Sequence, residues 1–247
     1  IRLDAPPSIA PDDLRKAIDW ALLSRRATRA FLPTPIPRET VEEILNVARF
    51  CATGVNTQPW NVHVLMGAAK ERLSDVIMQT FDDPSAMASL DEPYDYYPQE
   101  WVPPYIDRRR KLGFDLYGLL GIQKGDKNRM HAQFGRNYRF FGAPVGLMFT
   151  IDRCLGRVSL IDYGMFMQSI MMAARARGLD TCPQIAFTTF HRVIAKELGI
   201  PEHQMFVCGM SLGYADPSRI ENSLVTDRES VASFTIFHET TNTETKK

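Results

Sequence analysis

The sequence lacks the short motifs that bind metals or close disulfide frameworks. Its four cysteines include no CxxC pair and its five histidines form no HExxH or Cys/His spacing, so we expect no metal site. In a chain of 247 residues, four scattered cysteines do not suggest a disulfide framework. We interpret Cys51, Cys154, Cys182 and Cys208 as reduced thiols of a cytoplasmic protein, mostly packed in the core.

The sequence also lacks the signatures of several binding functions. It has no Walker loop and no GxGxxG turn, which argues against an ATPase or a Rossmann enzyme. Basic and acidic residues both number 29, and this zero net charge gives no reason to expect a nucleic-acid partner. No apolar run approaches the ~20 residues that span a bilayer. The opening stretch IRLDAPPSIAPDD has no apolar signal core, so we expect neither a secretion signal nor a membrane partner.

What the sequence does contain is a series of amphipathic segments, and 45% of its residues are hydrophobic. Periodicity and terminal residues predict the helices, and alternation with β-branching predicts the strands. The predicted helices span residues 11–26, 38–52, 68–81, 107–121, 126–142, 159–178 and 190–199, and the predicted strands lie within 61–67, 143–152, 180–187 and 204–215. This order predicts an α+β fold in one domain, 1–247, with helices around a small sheet.

Three stretches stand out from this pattern. Residues 83–105 are rich in proline, tyrosine and acidic residues, and so long a loop is more often functional or mobile than inert. From residue 216 onward the periodicity is lost, which predicts a tail that lies over another surface. Helix 159–178 is nearly all apolar. We expect it to be buried on most faces, and a second subunit is one way to complete that burial.

The first stretch with chemical content is RRATR, from Arg25 to Arg29. Its three guanidiniums repel one another unless an anion or several carbonyls compensate them. Arginine is suited to holding phosphate or carboxylate in a forked geometry. The alternative is a solvated, cationic helix end stabilised by the helix dipole, and composition alone favours that alternative.

Two further stretches carry polar groups. TGVNTQPW, at residues 53–60, follows the second predicted helix, and its Asn56 and Gln58 each offer a donor and an acceptor. A helix cap followed by a turn explains this stretch as well as a ligand contact does. NSLVTDRES carries Arg228 as a lone cation in the tail. By itself this stretch indicates no binding function, because arginines in a tail are usually exposed.

Together the three stretches resemble the FMN-dependent nitroreductase family. The usual pattern there is close to RRSxRxF, then PIP, a helix, PSxxNxQPW and a strand; here RRATRAF, PIP and ATGVNTQPW stand in the same order. The resemblance is dense over residues 20–66, present at 178–186 and 207–228, and weak between 83 and 125. Ala27 replaces the family's usual serine, so a side-chain contact there is lost while main-chain contacts survive.

The resemblance implies a nitroreductase-like fold, with a central antiparallel or mixed sheet flanked by helices. It also implies a homodimer with a swapped C-terminal tail and FMN at the subunit interface. Arg25, Arg26 and Arg29 would meet the phosphate, the ribityl chain and the pyrimidine edge. The implied cofactor-binding residues are Arg25, Arg26, Ala27, Arg29, Ala52, Thr53, Asn56, Pro183, Gln184, Ile185 and Arg228.

The remaining members of that set have implied roles of their own. Arg228 would add a second positive charge at the phosphate. Thr53 and Asn56 would reach the flavin from the other subunit. Backbone groups around Pro183, Gln184 and Ile185 would lie beside the isoalloxazine ring, with an N–H near flavin N5.

Residues 83–117 would then be the family's variable lid, and residues 215–247 an extended tail. The lid's aromatic side chains are candidates to stack on an aromatic substrate, although packing at a dimer surface is an equally good explanation. These candidates are Tyr94, Tyr96, Tyr97, Trp101 and Phe114.

Two other features of the sequence have both a chemical and a plain interpretation. Cys182 has no nearby histidine in the sequence to activate it, so a packing thiol is favoured over a nucleophile. Arg108, Arg109 and Arg110 suit an anionic substrate or the extra phosphate of NADPH, but a solvated helix start is favoured.

The function implied is an FMN-dependent nitroreductase that uses NADH or NADPH. A ping-pong hydride transfer would take a nitroaromatic to its nitroso and hydroxylamine products. Because the cofactor carries the chemistry, no catalytic histidine or carboxylate pair is needed. Two alternatives remain. One is a relative on the same fold that performs reductive dehalogenation, flavin fragmentation or dehydrogenation; the other is a flavin-binding dimer without turnover.

Overall fold

A four-stranded antiparallel sheet lies at the centre of the computed structural model, which describes residues 9–238. The strands are β1 Asn61–Met66, β2 Val145–Asp152, β3 Asp180–Gln184 and β4 Gln204–Gly213. The α-helices of the described part are α1 Pro11–Ser24, α2 Arg38–Ala48, α3 Gly67–Phe81, α4 Pro84–Ala88, α5 Tyr105–Leu119, α6 Lys127–Gly135, α7 Val158–Arg175, α8 His191–Leu198 and α9 Val231–Phe234. The predicted α+β fold, with helices flanking a small sheet, is confirmed.

The strand order is β1-β2-β4-β3, so β2 and β4 are central and buried on both faces. Side chains along a strand alternate between the faces. In β2, Leu147 packs into one buried cluster and Met148 into the other. The first cluster joins the sheet to α2 and α7. The second joins it to α3 and α8. The helices therefore sandwich the sheet.

Helix α1 is shorter than predicted, and the difference matters for function. It ends at Ser24, and Arg25 has extended backbone angles (φ −64°, ψ 129°). The chain then runs beside β3, where Ala27 pairs in parallel with Thr181. The Thr28 amide donates to the Thr181 carbonyl at 3.1 Å. The interpretation of RRATR as a helix end is therefore wrong, because pairing with β3 holds the segment extended.

Two other predicted elements differ from the structure. The predicted helix 126–142 ends as an α-helix at Gly135 and continues as a 3-10 segment. Phe140 and Phe141 there have positive φ values of 52° and 53°, which an α-helix does not accommodate. The proline-rich stretch predicted as a loop contains the short helix α4, and α5 starts at Tyr105.

Helix α7 is less buried than its composition predicts. Tyr163, Phe166 and Ile170 pack into the core. Val158 and Ile161 on another face are 69% and 65% exposed. The prediction of burial on most faces is therefore wrong for the first half of the helix within a single chain. An apolar face exposed to this extent is typical of a surface that another protein covers.

The tail after β4 is only partly regular. A 3-10 turn at Ile220–Ser223 and the short helix α9 are its only described helical elements. The end of the predicted tail, 239–247, lies outside the described residues, as do residues 1–8. Among the described helices, none combines the length and the apolar character needed to cross a membrane.

Candidate functional site

The extended segment 25–29 and strand β3 form one edge of the candidate site. Arg25 and Arg29 are half-buried there, whereas Arg26 is exposed. Burial raises the pKa of the Cys182 thiol to about 11, and the nearby Arg29 and Arg25 guanidiniums oppose that rise. Cys182 is therefore a protonated packing thiol at neutral pH, as predicted, and two arginines from the first stretch lie close to it.

Within the described residues, no carboxylate neutralises the charges of these arginines. Among residues 9–238, neither Arg25 nor Arg29 forms an ion pair. The Arg29 guanidinium donates only to the Ala27 carbonyl, at 3.2 Å. Half-buried guanidiniums without carboxylate partners are costly unless an anion compensates them. The arrangement suits an anionic ligand better than a solvated surface.

The backbone of this segment is fixed by the tail. The Arg29 amide donates to Oδ1 of Asn222 at 2.9 Å, and Nδ2 of Asn222 donates to the Ala30 carbonyl at 2.8 Å. Arg136 donates to the Arg29 carbonyl at 3.0 Å and also to the carboxylate of Glu221, which is 1% exposed. We call Arg136, Glu221 and Asn222 the tail clamp. The clamp holds the cationic segment in one geometry.

A largely apolar cleft lies at the other end of β3, and we call it the ring cleft. Its volume is about 380 Å³. Its walls include Pro183, Gln184 and Ile185 from the β3 end and Leu160 and Met167 from α7. Tyr94, from the segment expected to be the lid, also lines it and donates to the Val207 carbonyl. Such a cleft suits a flat ring with one face against the protein.

The polar side chains Tyr94, Tyr163 and Gln184 that line the ring cleft are hydrogen-bonded within the protein. The buried side chain of Gln184 donates to the Asn137 carbonyl at 2.7 Å, and its Oε1 accepts from Ser211 at 2.5 Å. This amide is therefore already satisfied within the protein. The main chain at Pro183 and Gln184 pairs with β4, and the Ile185 carbonyl accepts from the Thr188 hydroxyl at 2.7 Å, so contacts of this segment with a flavin stay a prediction. The residues present thus fit a flavin mononucleotide, with cations for a phosphate and polar edge and an apolar wall for a ring.

The loop of the second stretch lies away from this edge. Gly54 donates its amide to the buried Asp162 on α7 at 3.2 Å, whereas Ser24, next to the arginine segment, accepts from Arg175 of α7 at 2.9 Å. Asp162 and Arg175 are thirteen residues apart on this helix, about 20 Å along its axis. A single chain therefore does not bring Thr53 and Asn56 to Arg25 and Arg29.

The conformation of that loop is strained and its surface is open. Val55, Asn56 and Gln58 have positive φ values of 45°, 61° and 46°, and Val55 is 96% exposed. A β-branched residue at positive φ is a true outlier, and such strain clusters at ligand and partner contacts. Ala52 is exposed and Thr53 half-buried. The loop presents its strained end away from its own chain.

Arg228 also lies apart from the other predicted cofactor residues. Its guanidinium donates to Thr226 and to the Asp227 carbonyl within its own segment. It lines a groove with Arg108 and Lys111 of α5, and the Arg108 guanidinium pairs with Glu229 at 2.7 Å. In the single chain, the tail therefore places Arg228 in a different cleft from Arg29.

Most of the aromatic side chains of residues 83–117 gather beside the ring cleft and a second cleft, whereas Phe114 lies elsewhere. The rings of Tyr96 and Tyr97 are 4.2 Å apart, and those of Tyr97 and Trp101 are 5.4 Å apart. Tyr97 lines a second cleft that also contains Arg29 and Arg109, which we call the arginine cleft. Phe114 is 69% exposed and lines a different cleft on α5. It is therefore the weakest of the predicted substrate contacts.

The sequence reasoning missed the tail clamp and Asp162. Asn222 lies in the NSLVTDRES stretch, but nothing local links it to a segment 193 residues earlier. Asp162 lies in α7, whose mostly apolar composition indicates core packing and gives no sign of a polar contact with a loop. Within the described residues, no three His, Cys, Asp or Glu side chains gather closely enough to hold a metal ion.

Comparison with known proteins gives consistent matches. The sequence profile of the Nitroreductase family matches residues 22–214. A 4-nitrobenzoate reductase of Pseudomonas putida is 46% identical over 219 residues, which cover 89% of this chain and 94% of that protein. A nitrobenzene nitroreductase of Ectopseudomonas oleovorans is 41% identical over 89% of this chain and 96% of that protein.

Solved structures match along nearly their whole length. The FMN and NADPH-dependent nitroreductase NfnB from a sphigopyxis strain superposes with a TM-score of 0.86 at 31% identity, covering 90% of this chain and 99% of that one. NfnB from Mycobacterium smegmatis, an FMN-dependent nitroreductase solved in complex with NADPH, also gives 0.86, at 29% identity, covering 92% and 100%.

Proposed function

This chain belongs to the nitroreductase family, and we propose that it reduces aromatic nitro compounds with electrons from NADPH by way of bound FMN. The relatives at 41–46% identity are reductases of nitrobenzoate, nitrobenzene and chloronitrobenzene. The similar solved structures are FMN- and NADPH-dependent enzymes. Nothing in the structure favours dehalogenation, flavin fragmentation or dehydrogenation on the same fold.

The observation that carries this proposal is the pairing of segment 25–29 with β3. It places half-buried, uncompensated guanidiniums at one end of the strand and an apolar cleft at the other. An elongated ligand with an anionic end and a flat ring satisfies both ends. FMN has that shape and charge.

The residues then take distinct roles. Arg25 holds the phosphate, and Arg29 stabilises negative charge at the pyrimidine edge. Main-chain groups at Pro183–Ile185 orient the ring, and Tyr94 limits access of water above it. The chemistry that bound FMN supplies is hydride transfer, from the nicotinamide to the flavin and then from the flavin to the nitro group.

We further propose that the site is completed in a homodimer. The loop at Thr53 and Asn56 and the segment at Arg25 attach to α7 about 20 Å apart, so both can reach one flavin only if the loop comes from a second copy. The exposed apolar face at Val158 and Ile161 supports such an interface. Arg228 would reach the phosphate when the tail crosses to the second copy, in place of the groove it occupies here.

Two further assignments follow the same reasoning. Residues 1–247 would act as one domain in the cytoplasm, since all four cysteines are unbridged and NADPH is the electron donor. Residues 83–117 would act as the lid, because Tyr94 and Tyr97 line the ring and arginine clefts.

The experiment is spectroscopic. Purified protein reconstituted with FMN is expected to show flavin absorbance that NADPH bleaches under nitrogen and that 4-nitrobenzoate or nitrobenzene restores. Arg25→Ala should bind FMN about 30-fold or more weakly, because a charged hydrogen bond is worth roughly 2–4 kcal/mol. Arg38→Ala, an exposed arginine on α2 that pairs only with Glu42 among the described residues, serves as the matched control. Full FMN affinity in Arg25→Ala, or a flavin that NADPH does not bleach, would contradict the proposal.

A further inference from the structure

We propose that Arg109 is a specificity-determining residue that binds the carboxylate of an aromatic nitro acid, so that the preferred substrates are nitrobenzoate-like anions. This inference rests on the proposed function. It concerns the arginine cleft, a space of about 290 Å³ between α5 and the 3-10 segment that follows α6.

The charge of this cleft is uniformly positive. Arg29 and Arg109 both line it, and its described lining contains no aspartate or glutamate. The remaining walls are aromatic, apolar or amide side chains, among them Tyr97, Leu112 and Asn137. A cleft with two cations, no anion and apolar walls suits a flat organic anion.

Arg109 is held differently from its two arginine neighbours. Its guanidinium carbon lies 4.7 Å from the Trp101 ring centroid and 5.1 Å from that of Tyr97. Among residues 9–238 it forms no ion pair or side-chain hydrogen bond, whereas Arg108 is paired with Glu229. A guanidinium resting on aromatic faces has a fixed plane and leaves its N–H edge available for a carboxylate. Arg109 is exposed, as a solvated helix start predicts, and it differs from Arg110 in resting on two aromatic rings.

The arginine cleft adjoins the ring cleft. Gln184 lines the ring cleft and Asn137 lines the arginine cleft, and the two residues are joined by a hydrogen bond of 2.7 Å. A nitrobenzoate whose nitro group faces the flavin ring could thus direct its opposite, carboxylate end towards Arg109. Arg29 is taken up by the cofactor in the proposed function, which leaves Arg109 to bind the substrate anion.

A competing ligand for Arg109 is the 2′-phosphate of NADPH. That phosphate lies at the opposite end of the dinucleotide from the nicotinamide, which must reach the flavin ring. Asn137, which lines the arginine cleft together with Arg109, accepts through its backbone carbonyl from Gln184 of the ring cleft. The position of Arg109 therefore favours a short substrate over the far end of NADPH.

The test compares Arg109→Gln with Arg110→Gln in the FMN-loaded enzyme. Arg110 is the next residue on α5, carries the same charge and lines a different cleft. We measure kcat and KM for 4-nitrobenzoate and nitrobenzene, and the dissociation constant of benzoate from the perturbation of flavin absorbance. Arg109→Gln is expected to raise the KM for 4-nitrobenzoate and the dissociation constant of benzoate roughly tenfold, with a much smaller effect on nitrobenzene. Arg109→Lys should recover part of the loss because it keeps the charge but not the fork.

Several results would overturn the inference. One is an equal loss with both nitro compounds, which indicates a structural role for Arg109. Another is a rise in KM for NADPH with no change for 4-nitrobenzoate, which assigns Arg109 to the dinucleotide. A third is the same effect in Arg110→Gln, which indicates bulk electrostatics. If the wild type reduces no nitro compound, the proposed function fails, while benzoate binding to the flavin-loaded protein still tests the anion subsite.

Discussion

Replacing Glu221 with glutamine tests the idea that the tail clamp fixes the cofactor segment. Glu221 is 1% exposed and accepts from both Arg136 and Arg219, while the Arg136 side chain is 26% exposed. Breaking a buried ion pair costs roughly 3–5 kcal/mol. Because Arg136 keeps some solvent contact, we expect the lower end, about 3 kcal/mol of the free energy of unfolding. That corresponds to a melting temperature lower by about 6–12 °C for a chain of this size.

The assay is chemical denaturation of the wild type and the variant at one protein concentration, because an oligomer's stability depends on concentration. Glu229→Gln is the matched control, since that carboxylate makes an exposed pair with Arg108 and should change stability by less than about 1 kcal/mol. FMN affinity, measured by flavin fluorescence, should also fall in Glu221→Gln because Arg136 holds the Arg29 carbonyl. Equal stabilities of the two variants would refute the reasoning.

The pH dependence gives a second check on the same residue. Burial opposes ionisation of Glu221, but the hydrogen bonds from Arg136, the backbone and Arg219 outweigh it and hold the pKa of the carboxyl below its ordinary value. A carboxyl with a depressed folded pKa stabilises the protein above its unfolded pKa, about 4.3. That stability is lost as the pH falls through the folded pKa. The difference between wild type and Glu221→Gln should therefore shrink in acid.

Three further outcomes are expected. Gly146→Ala should lower the free energy of unfolding by about 1–3 kcal/mol, because the added methyl would overlap the Phe140 ring. Gly118→Ala, where nothing lies within 4 Å, is the control, and equal stabilities of the two variants would contradict the packing argument. Burial raises the pKa of Cys182 to about 11 and that of Cys208 to about 12. Iodoacetamide at pH 8 should therefore label exposed Cys154 and leave Cys182 and Cys208 unlabelled until the protein unfolds, as measured by peptide mass spectrometry. Rapid labelling of Cys182 in the folded protein would be inconsistent with this expectation. Ile161→Asp should shift the protein from dimer to monomer in light scattering and weaken FMN binding; an unchanged dimer would move the interface elsewhere.

The fold was largely predictable because its signals are local. Alternation and β-branching marked the strands, and the helix at α8 was expected to end at Gly199, where the backbone is left-handed (φ 63°). The predicted ends of the helices were wrong where pairing with residues far along the chain determines the backbone conformation. Arg25 reads as helix in the sequence, but Thr181, far along the chain, draws the neighbouring residues into an extended bridge.

The candidate site was predictable only in part. RRATR and the β3 end were identified and do meet, whereas Thr53, Asn56 and Arg228 lie elsewhere in the single chain and their contacts with FMN stay predictions. Arg109 looked like any solvated arginine, because its stacking on Trp101 and Tyr97 depends on how the lid folds back over α5. No local pattern reports such a contact.

The tail clamp has a consequence for how the protein is made. Asn222 accepts a hydrogen bond from the Arg29 amide, which lies 193 positions earlier in the chain. The arginine segment therefore leaves the ribosome well before Asn222 is available to hold it. That segment can take its final shape only after Asn222 has been synthesised and has folded back onto it. A chain that stops ahead of Glu221 would lack both the carboxylate that pairs with Arg136 and the amide that holds Arg29, so we expect its arginine segment to be unfixed.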